Sequence, residues 1–221
     1  MNQLVLNKRL PKKHKKIQLV TYLNADSVIA DQFRTIRTNL KFLMEEKKSR
    51  VFLITSPGEN EGKSTTVANL AVSIAQQKEK VLLIDANLRN SMLHQVFKIQ
   101  NQTGLTDVLK GAISLKQAIT FTDIGKLDIL TSGPDVSNPT EILGSNDMAS
   151  LLHDVADMYD IVLIDSPTIL KSTETRVLAN QCDGAVLVLH RGKTEMDKAV
   201  EAKRILDLAH ANLLGVIINE K

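Results

Sequence analysis

The stretch of the sequence best suited to chemistry is residues 55–65, which read TSPGENEGKST. It follows an apolar run and precedes a segment with helical periodicity, so it joins a predicted strand to a predicted helix. Such a turn leaves backbone N–H groups free to bind phosphate oxygens at the positive end of the helix. Lys63 adds a charge that reaches the β- and γ-phosphates, and the Ser64 hydroxyl suits Mg²⁺. The predicted nucleotide-binding residues are Gly58, Glu59, Asn60, Glu61, Gly62, Lys63, Ser64 and Thr65.

The loop departs from the strict phosphate-loop pattern at its first position. The pattern G-x-x-x-x-G-K-[ST] requires glycine where Pro57 stands, and Gly58 comes one residue late. We therefore expect Asn60 to take the left-handed conformation that a glycine would otherwise supply, because Asn tolerates it. The alternative is that the Gly-Lys-Ser run only starts a helix, and the acidic motifs that follow argue against it.

Two aspartates stand at the ends of other apolar runs. Asp85 ends the run 81–85 and Asp165 ends the run 161–165. Ligands of open α/β sheets bind at the carboxyl ends of the strands, so both carboxylates are expected beside the phosphate loop. Together with Ser64 they form a predicted Mg²⁺ site, although either aspartate alone could be a helix cap.

The elements that must position these residues follow from hydrophobic periodicity. Most of the apolar runs are continuous, which is typical of parallel strands covered on both faces. The predicted strands are 51–55, 81–85, 127–131, 161–165, 185–189 and 214–218. Helices are predicted at 63–78, 147–158 and 194–210, the last beginning with a capping-box variant of Thr194 and Asp197. The alternation predicts a doubly wound α/β fold with a mostly parallel sheet.

The N-terminal region differs from the remainder of the 221 residues. Residues 1–16 contain six basic and no acidic side chains, so 1–26 is predicted as a basic arm and 27–221 as one domain. The arm is either a solvated tail or attracted to an anionic membrane surface or acidic partner; nucleic acid is not expected. A single cysteine excludes an intramolecular disulfide, and no apolar run approaches the roughly 20 residues of a membrane span.

The domain is predicted to begin with an amphipathic helix at 27–46. Its apolar stripe consists of Ile29, Phe33, Ile36, Leu40 and Leu43. Arg34 and Arg37 lie off that stripe at helical spacing, and Asp31 precedes them at the same spacing. This edge is expected either to bind carboxylates of an adjacent subunit or to be solvated.

With these motifs, the chain resembles the bacterial tyrosine kinases of the capsular and exopolysaccharide type. The resemblance runs from about residue 27 to residue 219. It depends on the loop ending at Thr65, a second Walker A-like motif at 84–89, a Walker B motif at 161–167 and the Asp31, Arg34, Arg37 series. The stretches 103–109, 130–134 and 138–143 are also similar to the family.

The resemblance implies a P-loop NTPase fold of the deviant-Walker type, similar to MinD and ParA, and an ATP- and Mg²⁺-dependent protein tyrosine kinase. It implies that Lys63, Asp85 and Arg89 are catalytic, with Arg89 in contact with phosphate or an adjacent subunit. The alternative for Arg89 is a surface salt bridge. It also implies a homo-oligomeric ring through the Asp31/Arg34/Arg37 helix. The implied partners are protein tyrosine substrates and a transmembrane polysaccharide co-polymerase or activator subunit. The implied location is the cytoplasm, peripheral at the inner face of the cell membrane.

The chain departs from the family pattern at several positions. Asn87 replaces the second acid of the Asp-x-Asp-x-Arg motif, and Thr168 replaces a second proline. Asp31 is one methylene shorter than the family's glutamate, and the only tyrosines are Tyr22 and Tyr159. Because of these departures, one alternative function is a nucleotide-gated scaffold that does not transfer phosphate. A MinD- or ParA-like ATPase is the other alternative, although such proteins carry a lysine where this chain has Gly58.

Overall fold

A seven-stranded sheet forms the centre of the computed structural model, which describes residues 18–47 and 50–220. Residues 1–17, most of the predicted basic arm, lie outside the described residues. In spatial order the strands are β3 (Thr120–Phe121), β4 (Leu127–Leu130), β2 (Val81–Asp85), β5 (Ile161–Asp165), β1 (Val51–Thr55), β6 (Gly184–His190) and β7 (Leu213–Asn219). All pairings are parallel except that of β3 with β4. The six predicted strands are confirmed, whereas β3 is too short to give a sequence pattern.

Ten helices in the described part of the chain connect and cover these strands. Those with predicted counterparts are α2 (Val28–Lys47), α3 (Lys63–Ala75), α8 (Asn146–Met158) and α10 (Met196–Leu208). The others are α1 (Val20–Leu23), α4 (Leu93–Phe97), α5 (Leu105–Leu109), α6 (Leu115–Ala118), α7 (Pro139–Leu143) and α9 (Thr173–Gln181). Helix α3 ends three residues before its predicted end, and Lys78 just beyond it has a left-handed backbone.

The predicted capping box at the start of α10 is wrong. The helix begins at Met196 with Glu195 as its N-cap, two residues after the expected start. The Thr194 hydroxyl instead accepts a hydrogen bond from the His190 amide at 2.8 Å and donates to the Glu61 carboxylate at 2.9 Å. The Thr194 side chain therefore makes a tertiary contact instead of capping the helix, as its local pattern predicted.

The hydrophobic core lies in two layers, one on each face of the sheet. Helices α2 and α3 cover one face, where Leu40, Leu70 and Ile74 pack against Phe52 and Ile54. The opposite face is covered by α8, α9 and α10 with buried residues that include Leu152, Leu178 and Leu206. Every residue of β1, β2 and β5 is buried, as expected for strands covered on both faces. The doubly wound architecture is thus confirmed.

The short helix α1 lies within the range predicted as the arm and packs against α3. Thr21 is buried, and its amide and hydroxyl both bond to Asn69, at 3.1 and 3.0 Å from the side-chain oxygen. Asn69 in turn donates to the Gln18 carbonyl at 3.0 Å. The structure therefore extends the packed layer upstream of residue 27, where the domain was predicted to begin. None of the helices in residues 18–47 and 50–220 combines the length and apolarity that crossing a membrane requires.

Candidate nucleotide-binding site

The loop from β1 to α3 turns through two left-handed residues. Asn60 has φ = 58°, as expected from its residue type, and Gly62 has φ = 90°. A Cβ on Gly62 would also come within 2.1 Å of the Asn219 side-chain nitrogen, so glycine is required there for two reasons. The turn places the loop against the N-terminus of α3, a helix of 13 residues.

Backbone donors in this loop are left for a ligand. Within the described part of the chain, the amides of residues 60–63 have no hydrogen-bond acceptor. Orphan amides at a helix N-terminus form a binding site for anions, with the positive end of the helix dipole behind them. The loop therefore fits a phosphate group on its hydrogen bonding as well as on its sequence.

Lys63 and Ser64 begin helix α3 and face the end of β5. The Ser64 side chain is buried and that of Lys63 is half-buried. Both act on Asp165, since burial raises the pKa of that carboxyl while the Lys63 charge and the Ser64 hydroxyl oppose the rise. Three of the predicted site residues are therefore brought together.

Asp85 and Asp165 are in-register partners on the neighbouring parallel strands β2 and β5. In-register residues of adjacent strands point to the same face of the sheet, and both aspartates are fully buried. Burial and the Asp165 charge raise the pKa of Asp85 to about 7, against the effect of backbone hydrogen bonds. Two carboxylates are thus held together in a low-dielectric environment.

The two aspartates differ in their partners. Asp85 accepts hydrogen bonds from the amides of Asn87, Met92 and Leu93 at 3.2, 3.1 and 3.0 Å. Neither carboxylate oxygen of Asp165 makes a hydrogen bond of normal geometry among the described residues, although the Ser64 hydroxyl and the Lys63 charge lie close enough to act on it. Leaving a buried carboxylate without a partner costs several kcal/mol, roughly, unless a cation compensates it.

A hydrated Mg²⁺ ion fits this donor set. Residues 18–47 and 50–220 contain no group of three or more His, Cys, Asp or Glu side chains placed to hold a metal. Two carboxylates and a serine hydroxyl are hard oxygen donors, and Mg²⁺ keeps several of its waters and uses few protein ligands. The unpartnered oxygens of Asp165 are the observation that favours a cation here.

Arg89 lies on the surface beside the site. Its Nε donates to the Glu174 carboxylate at 2.8 Å, while 65% of its side chain remains exposed. The Ser172 hydroxyl bonds the other Glu174 oxygen. Burial would raise the pKa of Glu174, but the bonds from Ser172 and Arg89 bring it below its ordinary value. Arg89 thus forms the salt bridge that was one of its predicted alternatives, and no described contact joins it to the loop.

Residues that the sequence did not indicate surround the loop from outside. Lys193 donates to two loop carbonyls, Thr194 bonds Glu61, and Asn219 donates to the Glu61 carbonyl at 3.1 Å. Lys171 pairs with Glu59 at 3.1 Å. These contacts join residues more than 100 positions apart, so no local pattern shows them. Their position relative to the strands could still have indicated them. Lys193 and Thr194 follow strand β6 and Asn219 ends strand β7, so they lie at the same edge of the sheet as the aspartates that end β2 and β5.

A phosphate loop at the carboxyl end of a parallel, doubly covered sheet defines the class of P-loop nucleotide-binding proteins. Residues 58–193 match a family model described as an AAA domain. The structure is also similar to the septum site-determining protein MinD of Pyrococcus horikoshii OT3 complexed with Mg-ADP, with a TM-score of 0.66 and 26% identity over 77% of this chain and 70% of that one. The predicted P-loop fold of the deviant-Walker type is confirmed, and this fold implies nucleotide binding.

The more similar proteins are tyrosine kinases. The chain is 45% identical over 195 residues to the tyrosine-protein kinase YwqD of Bacillus subtilis, covering 88% of this chain and 82% of the relative. The kinase domain of the Escherichia coli tyrosine kinase ETK superposes with a TM-score of 0.88 and 31% identity over 94% of this chain and 81% of that one. Our chain spans only 27% of full-length E. coli etk. The chain belongs to the bacterial tyrosine-protein kinase family, as its motifs predicted.

Proposed function

We propose that this chain transfers the γ-phosphoryl group of Mg²⁺-ATP to tyrosine hydroxyls of proteins that control capsular or exopolysaccharide synthesis and export. One observation carries the proposal. Unpaired loop amides, the Lys63 ammonium and the buried pair of Asp85 and Asp165 meet at one edge of the sheet. Membership of the tyrosine-protein kinase family indicates that the phosphoryl acceptor is a tyrosine hydroxyl.

The contacts of each site residue indicate its role in the proposed reaction. The loop amides and Lys63 bind and orient the phosphates, and Ser64 and Asp165 hold the metal, with Asp85 adjacent. When bound, Mg²⁺ neutralises negative charge on the phosphate oxygens. Asp85, fixed by three amides, orients the tyrosine hydroxyl and accepts its proton as the phenolic oxygen bonds the γ-phosphorus and the bond to ADP breaks.

Membrane attachment and assembly are part of the same proposal. The chain acts in the cytoplasm at the inner face of the membrane, with a transmembrane polysaccharide co-polymerase or activator subunit as its partner. Two facts support this: relatives such as E. coli etk carry much additional sequence, and residues 1–16 are strongly basic. The Asp31, Arg34 and Arg37 edge of α2 would join neighbouring subunits into a ring.

A nucleotide-gated scaffold without phosphotransfer is favoured by a specific observation. Tyr159 is buried, and its hydroxyl donates to Asp128 at 2.9 Å, with burial and this carboxyl raising the pKa of Tyr159. Tyr22 is the other tyrosine and is half exposed. The second acid of the Walker A-like motif is Asn87, which cannot act as a base. Of these two tyrosines, only Tyr22 is therefore exposed enough to accept a phosphoryl group.

The test separates these functions. The purified chain is incubated with ATP, Mg²⁺ and a glutamate–tyrosine copolymer, and phosphotyrosine is measured by mass spectrometry alongside ATP affinity by calorimetry. The kinase proposal expects phosphotyrosine with the wild type and none with Lys63→Met. ATP binding without phosphotyrosine would identify the scaffold, and absence of ATP binding would contradict both.

A further inference from the structure

Every carbonyl of the phosphate loop from Gly58 to Gly62 has a hydrogen-bond donor. The Ser56 hydroxyl donates to the carbonyl of Gly58 at 2.7 Å, and the Thr66 amide, in α3, donates to that of Gly62 at 2.8 Å. The remaining donors come from the other end of the chain. The donor–acceptor pairs are Lys193 Nζ to Glu59 O at 2.5 Å, Lys193 Nζ to Asn60 O at 2.9 Å and Asn219 Nδ2 to Glu61 O at 3.1 Å.

Fixing a carbonyl also fixes an amide. The peptide unit is planar, so the carbonyl of one residue sets the direction of the N–H group of the next. By binding the carbonyls of Glu59 and Asn60, Lys193 orients the amides of Asn60 and Glu61. These are amides without an acceptor in the described structure, the ones available to a phosphate. A single ammonium thus holds two adjacent donors of the anion site from behind.

Thr194 holds the same loop through a side chain. Glu61 is 97% buried, since its relative exposure is 3%, and its Oε1 accepts the Thr194 hydroxyl at 2.9 Å. The hydroxyl also accepts the His190 amide at 2.8 Å, which ties the contact to the end of β6. A conformational change of the β6–α10 loop, residues 191–195, would therefore move the backbone that carries the phosphate donors.

We infer that Lys193 and Thr194 are positioning residues that hold the phosphate loop in its binding conformation before a nucleotide arrives. The ligand class, a nucleoside di- or triphosphate, rests on the proposed function. The placement of Lys193 distinguishes this role from simple charge attraction, because its ammonium bonds carbonyl oxygens of the loop. Preorganised donors increase affinity by reducing the ordering that binding requires.

The experiment measures Mg-ADP affinity by calorimetry for Lys193→Met, Thr194→Val and Thr194→Ser. The matched control is Lys198→Met, an exposed lysine of α10 that pairs with Glu195. Losing a bond to a charged group should weaken binding by about tenfold in Lys193→Met and by about threefold in Thr194→Val. Thr194→Ser keeps the hydroxyl and should restore wild-type affinity, while Lys198→Met should not change it.

Two further readouts decide between positioning and charge. Long-range attraction fades at about 1 M salt, where the Debye length is about 3 Å, whereas the loss caused by a misplaced loop should persist. Hydrogen exchange of the nucleotide-free protein should show faster exchange of the Thr66 amide, which bonds the Gly62 carbonyl of the loop, in Lys193→Met than in Lys198→Met. Equal exchange, or an affinity loss that disappears in salt, would overturn the inference.

The exchange experiment needs no nucleotide. A wild type that fails to bind Mg-ADP would contradict the proposed function, while the exchange rates would still test the positioning role. Circular dichroism confirms the fold of each variant. Should Lys193→Met fail to fold, Lys193→Gln and the Thr194→Val and Thr194→Ser pair give the same comparison, and wild-type exchange rates in all of them would refute the inference.

Discussion

The phosphate loop and helix α2 differ in how far their polar groups are hydrogen-bonded within the chain. In the loop, the carbonyls from Gly58 to Gly62 are bonded within the chain, while the amides of residues 60–63 and the oxygens of Asp165 make no hydrogen bond of normal geometry in the described structure. On α2, Arg34 bonds Asp31 and the Ala25 carbonyl, and Arg37 bonds the Ser73 carbonyl at 2.6 Å. The loop backbone is thus held in place while some of its hydrogen-bond donors have no acceptor. On the predicted α2 interface, by contrast, the arginines already bond to groups of their own chain.

This difference shows that buried polar groups without partners and exposed charges at helical spacing are evidence of different strength for a binding site. Burying polar groups without partners is costly, so a fold that retains them has a ligand that compensates the cost. Exposed charges at helical spacing find partners in many ways and contribute little energy. The loop therefore indicates a ligand on physical grounds, while the α2 edge depends on the family resemblance.

The largest expected effect comes from removing the loop's charge. Lys63→Met should lower phosphotransfer by about 100-fold or more, since the ammonium stabilises charge that develops on the phosphates. Steady-state kinetics with the glutamate–tyrosine copolymer measures it. Lys203→Met, on the surface of α10 and paired with Asp207, is the matched control and should retain wild-type rates. Equal rates in both variants would place the chemistry elsewhere.

The next effect concerns the unpartnered carboxylate. Asp165→Asn should stabilise the metal-free protein by about 2 kcal/mol at about pH 8, because it removes a buried charge beside Asp85. Chemical denaturation with a chelator present measures the free energy of unfolding. The same substitution should weaken Mg²⁺ binding, and a variant less stable than the wild type would contradict the assignment.

The pH dependence of this effect has a definite sign. The pKa of Asp85 is about 7 in the folded protein, above its ordinary value of 3.8, so the folded state binds more protons between these values. The free energy of unfolding of the metal-free wild type therefore falls as pH rises from about 4 to about 7. Asp165→Asn should reduce that fall, and its advantage should vanish near the acid end of the window.

A smaller effect is expected on α2, where replacing Arg37 should cost more stability than replacing Arg34. Arg37→Ala should cost about 1 kcal/mol of stability, because its guanidinium is half-buried on Ser73, and Arg34→Ala about half of that. If the edge also joins subunits, light scattering with Mg²⁺ and ATP should show a smaller particle for the double variant. An unaltered oligomer in the double variant would place the subunit contact on another surface.

The smallest effect is expected at Asn87, a buried residue two positions after Asp85. Asn87→Asp should raise turnover by about threefold, since a further carboxylate strengthens metal coordination. The rate is measured on the same copolymer at saturating Mg²⁺. An unchanged or lower rate would show that Asn87 is not a weakened catalytic position.

Most of the fold and the inner part of the site were predictable. Apolar runs predicted all six longer strands, and the Gly-Lys-Ser run with its preceding Asn60 predicted the turn, because these features depend on neighbouring residues. Strand ends predicted the meeting of Asp85 and Asp165. What sequence could not supply was the outer support of the loop. Thr194 has a good local pattern for a helix cap, yet a carboxylate 133 residues away takes its hydroxyl.

The order of strands in the sheet has a consequence for biosynthesis. The phosphate loop is encoded early, after β1, but its carbonyls are held by residues that follow or end β6 and β7 near the other end of the chain. Such distant contacts form late, after the intervening segments have folded. A nascent chain that has emerged only through α9 therefore has the Gly-Lys-Ser motif without its outer support. We therefore expect such a nascent chain to bind nucleotide weakly, and tight binding to require that strands β6 and β7 are in place.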